Sequence, residues 1–202
     1  MIDTIMLATK NPDKVKEIIK ILPHNIKIKT FNDFKNLPDV IEVGLKIEEN
    51  SQKKAIEIAR FTSLVSIADD TGLFVEALNF RPGVYSSRYA GENATYEDNC
   101  KKLLEEMKGF KGRDRRAFFR CAITIAFPDE RFVTCVGEIE GIIALKPRGK
   151  NGFGYDPLFY VPSYHMTFAE MPLELKNKIS HRAKAVEMIK PIIDKIVKYG
   201  SF

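Results

Sequence analysis

The stretch SIADDTG, residues 66–72, decides how the middle of this chain folds. The apolar run 64–68 predicts a buried strand that stops at two consecutive acids, Asp69 and Asp70. Neighbouring side chains on a strand point to opposite faces, so we do not expect the two acids to form one shared dyad. We expect one acid to face a binding site, where it could hold Mg²⁺ or act as a base. The other should shape the turn that follows; an Asx-type turn before Gly72 is the purely structural alternative.

Length and composition are typical of a globular chain, with 202 residues and 45% hydrophobic residues. No apolar run approaches the about 20 residues that a membrane span needs, and the N-terminal residues lack the pattern of a signal peptide. The three cysteines, Cys100, Cys121 and Cys135, are odd in number and widely spaced, which favours buried thiols in a reducing compartment. We therefore expect a cytoplasmic protein of one domain, residues 1–202, with no membrane partner.

The net charge of +5 and the isoelectric point of about 9.0 favour a polyanionic partner. Nucleic acid, a membrane surface and a phosphorylated small molecule all fit, and lysines scattered over solvated helix faces are the alternative. A basic nucleic-acid-binding module is the least favoured function, because no RNA- or DNA-binding motif is present. It also leaves the two acids of SIADDTG without a role.

The order of elements predicts a mixed α/β fold, with helices packed on a twisted mixed sheet. Asn11 is a good N-cap for a first helix that opens at Pro12, and Thr95 and Ser180 can cap later helices. The predicted strands are 2–9, 26–31, 64–68, 116–127, 131–140, 142–145 and 158–161, and the later helices are 47–61, 96–107 and 181–198.

The segment LATKNPDKVKEI, residues 7–18, predicts an anion site where a strand ends and a helix begins. Helix N-termini present unpaired N–H groups and a positive dipole end, which suit phosphate. Lys10 and Lys14 add charge there, and Thr9 and Asn11 are neutral donors. The spacing is not that of a P-loop, and an ordinary capped helix is the alternative.

Two further segments carry residues suited to a nucleotide. In GKNGFGYDPLF, residues 149–159, glycines let the backbone approach a ligand, an aromatic ring can stack on a base, and Asp156 can accept from a ring N–H. In KNKISHRAKA, residues 176–185, the polar residues at a helix start can meet a phosphate or a carbonyl oxygen. A tight loop with a core aromatic and a serine cap are the respective alternatives.

These segments together resemble one enzyme family. LATKNPDKVKEI, IADDTGL, PGVYSSRYAG, GFGYDPLF and SHRAKA, in this order and spacing, closely resemble the inosine triphosphate pyrophosphatase family from Thr9 to Ala185. The resemblance implies a two-lobed α/β fold with a long mixed sheet, flanking helices, a cleft between the lobes, and usually a homodimer. It implies Mg²⁺-dependent hydrolysis of ITP, dITP and XTP to the nucleoside monophosphate and pyrophosphate. A nucleotide pyrophosphatase with another base preference is the alternative enzyme.

The resemblance also assigns the site by position. Asp70 is implied as the metal-linked base that activates water, and Glu42 as the second metal ligand, with Asp39 as a fallback. Phe153 is implied to stack on the base, and His181 and Arg182 to read its 6-oxo group. The implied substrate-binding residues are Thr9, Lys10, Asn11, Lys14, Lys54, Thr71, Phe153, Gly154, Tyr155, Asp156, Lys176, His181 and Arg182.

The chain departs from the family pattern at two positions. Lys10 stands where the family often has glycine, so its side chain either adds a phosphate contact or points away. Ile41 stands where relatives often carry the first of two glutamates, which leaves Glu42 as the matching acid. Beside Mg²⁺ we expect the catalytic carboxylate to keep a low pKa and to orient water at neutral pH.

Overall fold

The computed structural model describes residues 2–22 and 26–201. In chain order the strands and helices are β1 (Thr4–Leu7), α1 (Pro12–Ile21), β2 (Lys27–Lys29), α2 (Ile47–Thr62), β3 (Val65–Val75), β4 (Pro82–Gly83), α3 (Tyr96–Glu106), β5 (Arg116–Ala126), β6 (Phe132–Ile143), β7 (Phe159–Val161), β8 (Met166–Thr167), α4 (Leu173–Ile179) and α5 (His181–Tyr199). Short 3₁₀ turns connect several of them.

The described strands form a long mixed sheet. They are hydrogen-bonded in the order β2–β1–β3–β5–β6–β7–β8, and β4 pairs with β3. β1 runs parallel to β2 and β3, whereas β4 on β3, β7 on β6 and β8 on β7 are antiparallel. This sheet and its flanking helices confirm the predicted α/β class. The cleft between lobes and the single domain 1–202 stay predictions.

The described residues fall into two compact units, of which the first contains residues up to Asp70, Cys121–Gly137 and the residues from Arg182 on. Within it, β1 and the start of β3 are buried on both faces. Alternate residues of β1 and β3 share one apolar cluster with α1 and α5, and the intervening residues share another with α2. The first unit is therefore a layered core, and each face of these strands meets different helices.

The second unit comprises Thr71–Arg120 and Glu138–His181. Its buried apolar residues form one cluster, which includes residues of β3, α3, β5, β6 and β7. The aromatic side chains of Phe119, Phe159 and Phe168 are central to it, with ring centroids 4.6–5.9 Å apart.

The caps predicted at Asn11 and Thr95 are confirmed, and the cap predicted at Ser180 stays a prediction. Asn11 accepts hydrogen bonds from the first turn of α1, and Pro12 is the first helical residue. Thr95 and Asp98 form a reciprocal capping box at the start of α3.

No helix in the described part of the chain combines the length and the apolar character that crossing a membrane requires.

Strand β3 differs most from its prediction, because it continues to Val75 instead of stopping before Asp69. Its extension is paired to β4, with Leu73 opposite Gly83. The acids interrupt the apolar pattern but not the strand, because buried cations compensate both, as shown below. The predicted strand 142–145 is instead the end of β6, and β4, β8 and α4 were not predicted.

Ser86 ties the segment PGVYSSRYAG, residues 82–91, to β3. The Leu73 N–H donates to Ser86 Oγ over 2.8 Å, and this hydroxyl donates to the carbonyl of Gly83 over 2.6 Å. The Tyr155 hydroxyl donates to the Ser86 carbonyl over 2.9 Å. Ser86 is buried, so this one residue joins β3, β4 and the glycine-rich loop within the second unit.

We expect Ser86→Ala to lower the free energy of unfolding by about 1–3 kcal/mol, because it leaves the buried Leu73 N–H without an acceptor. Ser87→Ala is the matched control: Ser87 is exposed, and its hydroxyl makes no hydrogen bond among the described residues. Urea unfolding of both variants measures the difference. Equal losses in the two variants would contradict the role assigned to the Ser86 hydroxyl.

Candidate active site

Asp69 and Asp70 lie on opposite faces of β3, as strand geometry predicts. Asp69 alternates with Ile67 and meets α1 and α5, where Lys14 and Arg182 contact its carboxylate. Asp70 lies on the face of α2 and contacts Lys54. The two acids therefore have separate surroundings, and no shared dyad forms.

The carboxylate of Asp70 belongs to a cluster on α2 and the preceding loop. Asn50 Nδ2 donates to its Oδ2 over 3.1 Å, and the Lys54 ammonium lies 3.5 Å from its Oδ1. Asn50 and Lys54 are four residues apart on α2, so they share one helix face. The same ammonium lies 2.7 Å from Glu42 Oε1 and donates to the Asp69 carbonyl over 2.7 Å. The structure thus brings together the predicted base, the predicted metal ligand Glu42 and the predicted phosphate ligand Lys54.

The electrostatics of this cluster favour additional positive charge. Burial raises the pKa of Asp70 above its ordinary value, Lys54 and Lys14 oppose this shift, and repulsion from Glu42 adds to it. Burial alone would lower the pKa of Lys54, but the neighbouring carboxylates raise it overall. From the sequence we expect a low pKa for Asp70 beside Mg²⁺. Without a metal, the surrounding protein groups raise the pKa of Asp70 instead.

Asp69 is the centre of a buried ion-pair network, so the prediction that it shapes a turn is wrong. Arg182 Nη2 lies 3.0 Å from Asp69 Oδ2, and the Lys14 ammonium lies 3.1 Å from the same oxygen. Burial acts to raise the pKa of Asp69, but Lys14 and Arg182 outweigh it and hold that pKa far below the ordinary value. Arg182 also pairs with the buried carboxylate of Glu17. Its guanidinium is thus enclosed by two acids, and its predicted contact with a base stays a prediction.

The start of α1 carries the predicted phosphate ligands. Asn11 Oδ1 accepts from the N–H groups of Asp13 and Lys14 over 2.9 and 3.3 Å, and the Asn11 N–H donates to Thr9 Oγ1 over 3.2 Å. The Asn11 side chain therefore caps two N–H groups that a bound phosphate could otherwise use. Phosphate contacts of Thr9 and Asn11 stay predictions.

The structure separates the two candidate metal acids. Asp39 pairs with Lys10 over 2.8 Å, and both side chains are largely exposed, at 86% and 57%. Glu42 instead contacts Lys54, whose ammonium also contacts Asp70. This placement supports Glu42 rather than Asp39 as the proposed metal ligand. The Lys10 side chain forms its ion pair with Asp39 at the surface.

In the second unit, a buried ion pair sets the conformation of the glycine-rich loop. The Lys176 ammonium lies 2.5 Å from Asp156 Oδ2, and the same oxygen accepts from the Phe153 N–H over 2.9 Å. The ammonium also lies 5.0 Å from the centroid of the Phe153 ring. At Gly152, with φ of +73°, a Cβ would lie 2.0 Å from Asp156 Oδ2, so only glycine permits this arrangement. The structure thus brings Phe153, Asp156 and Lys176 together.

The other predicted ligands of this unit differ in burial. Tyr155 and His181 are 4% and 3% exposed, and the His181 ring stacks on Phe119 with centroids 4.6 Å apart. A Cβ on Gly154 would meet nothing within 4 Å, so this position borders open space. Thr71 follows Asp70 on β3 and is half-buried. Substrate contacts of all four stay predictions.

Sequence reasoning missed several residues that support these groups. Asn50 was detectable, because it precedes Lys54 by one helical turn. Glu17 carries no local signal, since its partner Arg182 is 165 residues away in the chain. Tyr96 was also missed, because the sequence assigned its neighbour Thr95 only a structural role as a helix cap. The Tyr96 ring centroid lies 5.8 Å from that of Phe153.

Comparison with known proteins assigns the family. The model of the Ham1 family matches residues 5–192. A dITP/XTP pyrophosphatase from Desulfotalea psychrophila is 49% identical over 200 residues, which cover 98% of this chain and 89% of that protein. A dITP/XTP pyrophosphatase from Geobacter sulfurreducens is 46% identical over 187 residues, which cover 92% of this chain and 94% of that protein.

A solved structure agrees with these matches. The HAM1 protein from Coxiella burnetii superposes with a TM-score of 0.87 at 42% identity, covering 96% of this chain and 100% of that one. The resemblance seen in the five sequence segments is thereby confirmed over nearly the whole chain. This chain belongs to the Ham1 family.

Proposed function

We propose that this chain hydrolyses the non-standard purine nucleoside triphosphates dITP, XTP and ITP to the nucleoside monophosphate and pyrophosphate. The names of its relatives support this activity, since both are dITP/XTP pyrophosphatases. Such a reaction removes these nucleotides from the pool. It cleaves the anhydride between the α- and β-phosphates.

One observation carries the proposal at the level of the site. Asp70, the acid expected to activate water, and Glu42, the expected metal ligand, contact the same ammonium, that of Lys54. Phosphoryl-type transfer depends mainly on positioning and on stabilising negative charge. A carboxylate, a largely buried lysine and a second acid at one place supply both requirements.

We propose Mg²⁺ as the cofactor, held by Glu42 and Asp70. Among residues 2–22 and 26–201 no group of three His, Cys, Asp or Glu side chains could hold a metal. Two carboxylates nevertheless fit magnesium, which is usually held by one or two protein carboxylates together with substrate phosphates and water. The repulsion of Glu42, which contributes to the raised pKa of Asp70, supports a cation site. When bound there, the ion would neutralise charge on the transferring phosphates.

The residues of the first unit have distinct proposed roles. Asp70 accepts a proton from the attacking water. Asn50 fixes the orientation of the Asp70 carboxylate by its hydrogen bond. Lys14 and Lys54 bind phosphate oxygens. Asp69 holds Lys14 in place through an ion pair, and Arg182 in turn holds Asp69.

Base selection is proposed for the second unit. Phe153 stacks on the purine, and Gly154 leaves space beside it. A site that donates to O6 and accepts from N1–H leaves its groups unpaired when adenine enters, because adenine donates at position 6 and accepts at N1. This mismatch would discriminate against ATP.

We further propose that the protein acts in the cytoplasm and as a homodimer. Cys100, Cys121 and Cys135 are free, which supports a reducing compartment. The dimer is supported by the family resemblance alone.

With Mg²⁺ present, we expect pyrophosphate release from ITP, dITP and XTP and at least about 100-fold slower release from ATP, because adenine reverses the donor pattern of the base edge. Pyrophosphate and orthophosphate are quantified separately for each nucleotide. Release from ATP as fast as from ITP would overturn the proposed selectivity. Release of a single phosphate would overturn the reaction class.

We expect Asp70→Asn to lower kcat by at least about 100-fold, because asparagine cannot accept the proton of the attacking water. The variant should unfold at the same or a higher temperature than the wild type. The reason is that burial raises the pKa of Asp70, so its charge costs stability in the folded protein. Single-turnover kinetics and thermal unfolding measure the two effects. Retained activity would assign the base to another residue.

We expect Glu42→Gln to raise the Mg²⁺ concentration for half-maximal activity by at least about tenfold. Losing even a residue that only supports a metal ligand commonly lowers metal affinity by about tenfold or more. Asp39→Asn is the matched control from the same loop, because Asp39 pairs with Lys10 at the surface. Magnesium titrations at saturating ITP measure both variants. A shift in Asp39→Asn instead would move the metal ligand to Asp39.

A further inference from the structure

The rings of Tyr96 and Phe153 form an aromatic corner in the second unit. Their centroids lie 5.8 Å apart and their planes are inclined at 43°. Tyr96 is 44% exposed, so much of its side chain faces solvent. Neither the five recognised segments nor the proposed mechanism gives Tyr96 a role.

The backbone holds Tyr96 firmly in position. Tyr96 is the first residue of α3, directly after the capping box of Thr95 and Asp98. One turn further on, the Cys100 thiol donates to the Gly154 carbonyl over 3.4 Å. Residues four apart share a helix face, so the same face of α3 contacts the glycine-rich loop at two points. The backbone of Tyr96 is therefore placed next to the loop that carries Phe153.

The surroundings of Phe153 make Tyr96 part of any stacking site there. The Lys176 ammonium lies 5.0 Å from the Phe153 centroid, which already gives this ring a cation partner. A purine is larger than a phenyl ring, so a base stacked on Phe153 extends past the ring edge. The Tyr96 centroid lies 5.8 Å from that of Phe153, so the part of a base that extends on this side would reach the second ring. Rings inclined to each other can contact one flat base by a face and by an edge.

We propose that Tyr96 is a further base-binding residue that forms the second aromatic wall of the base site and contacts the purine ring. This inference rests on the proposed function, because it takes Phe153 as the stacking residue. The contact is made by the Tyr96 ring. It adds affinity only for ligands that carry a base, and it leaves phosphate binding unchanged.

Calorimetry with the two proposed products tests this inference, since inosine monophosphate carries the base and pyrophosphate does not. We expect Tyr96→Ala to raise the dissociation constant of inosine monophosphate roughly tenfold, the size of a lost base–aromatic stack. The dissociation constant of pyrophosphate, measured with Mg²⁺ present, should change less than about twofold, which is below 0.5 kcal/mol. Tyr96→Phe should bind both products like the wild type, because it keeps the ring.

Tyr164→Ala is the matched control, because Tyr164 lies in the same unit and is similarly exposed, at 39%. An equal loss of affinity for both products in Tyr96→Ala would indicate a structural effect and overturn the inference, and so would no loss for either. Thermal unfolding of each variant shows that the protein remains folded. Failure of the proposed function is seen separately: the wild type would then release no pyrophosphate from ITP, while the binding comparison can still be made.

Discussion

The alternation of side chains along β3 is the constraint on which the candidate site depends. Because the strand stays extended through Asp69 and Asp70, the two acids must point to opposite faces. One face meets α1 and α5, which supply Lys14 and Arg182, and the other meets α2, which supplies Lys54. A register slip of one residue would exchange the acids and leave each opposite the wrong cations. The buried residues of β1, which alternate between the same two faces, oppose such a slip.

The pKa values of the two neighbouring acids are thereby shifted in opposite directions. Asp69 has two cations at one oxygen, and its pKa is lowered despite complete burial. Asp70 shares one ammonium with a second acid, and its pKa is raised. Environments that push the pKa values of titratable neighbours apart commonly mark a division of roles. Asp69 is then a fixed charge that stabilises the network of Lys14 and Arg182, and Asp70 is the acid suited to proton transfer.

Features with local causes could be predicted from the sequence, and features with distant causes could not. The cap of α1 and the capping box of α3 depend on residues within one helical turn, and both are observed. The continuation of β3 could not be predicted, because polar residues end the apolar pattern and their compensating partner Arg182 lies 113 residues away. The separate faces of the two acids followed from strand geometry alone. The family resemblance favoured Glu42 over Asp39, but their different surroundings could not be predicted, because both lie in one irregular loop and their cation partners Lys54 and Lys10 lie in other segments.

The charges around Asp70 explain why this arrangement suits a phosphate enzyme despite its cost to folding. Two carboxylates face one ammonium there, so the cluster carries an excess of negative charge before any substrate binds. A triphosphate adds more, and Lys14 and Lys54 alone cannot balance it, because Lys14 is already paired with Asp69. The proposed Mg²⁺, arriving with the phosphates, would remove this imbalance, and it would do so only in the loaded site. The repulsion between Glu42 and Asp70 is thus a local instability that ligand binding would relieve, as expected where stability is given up for activity.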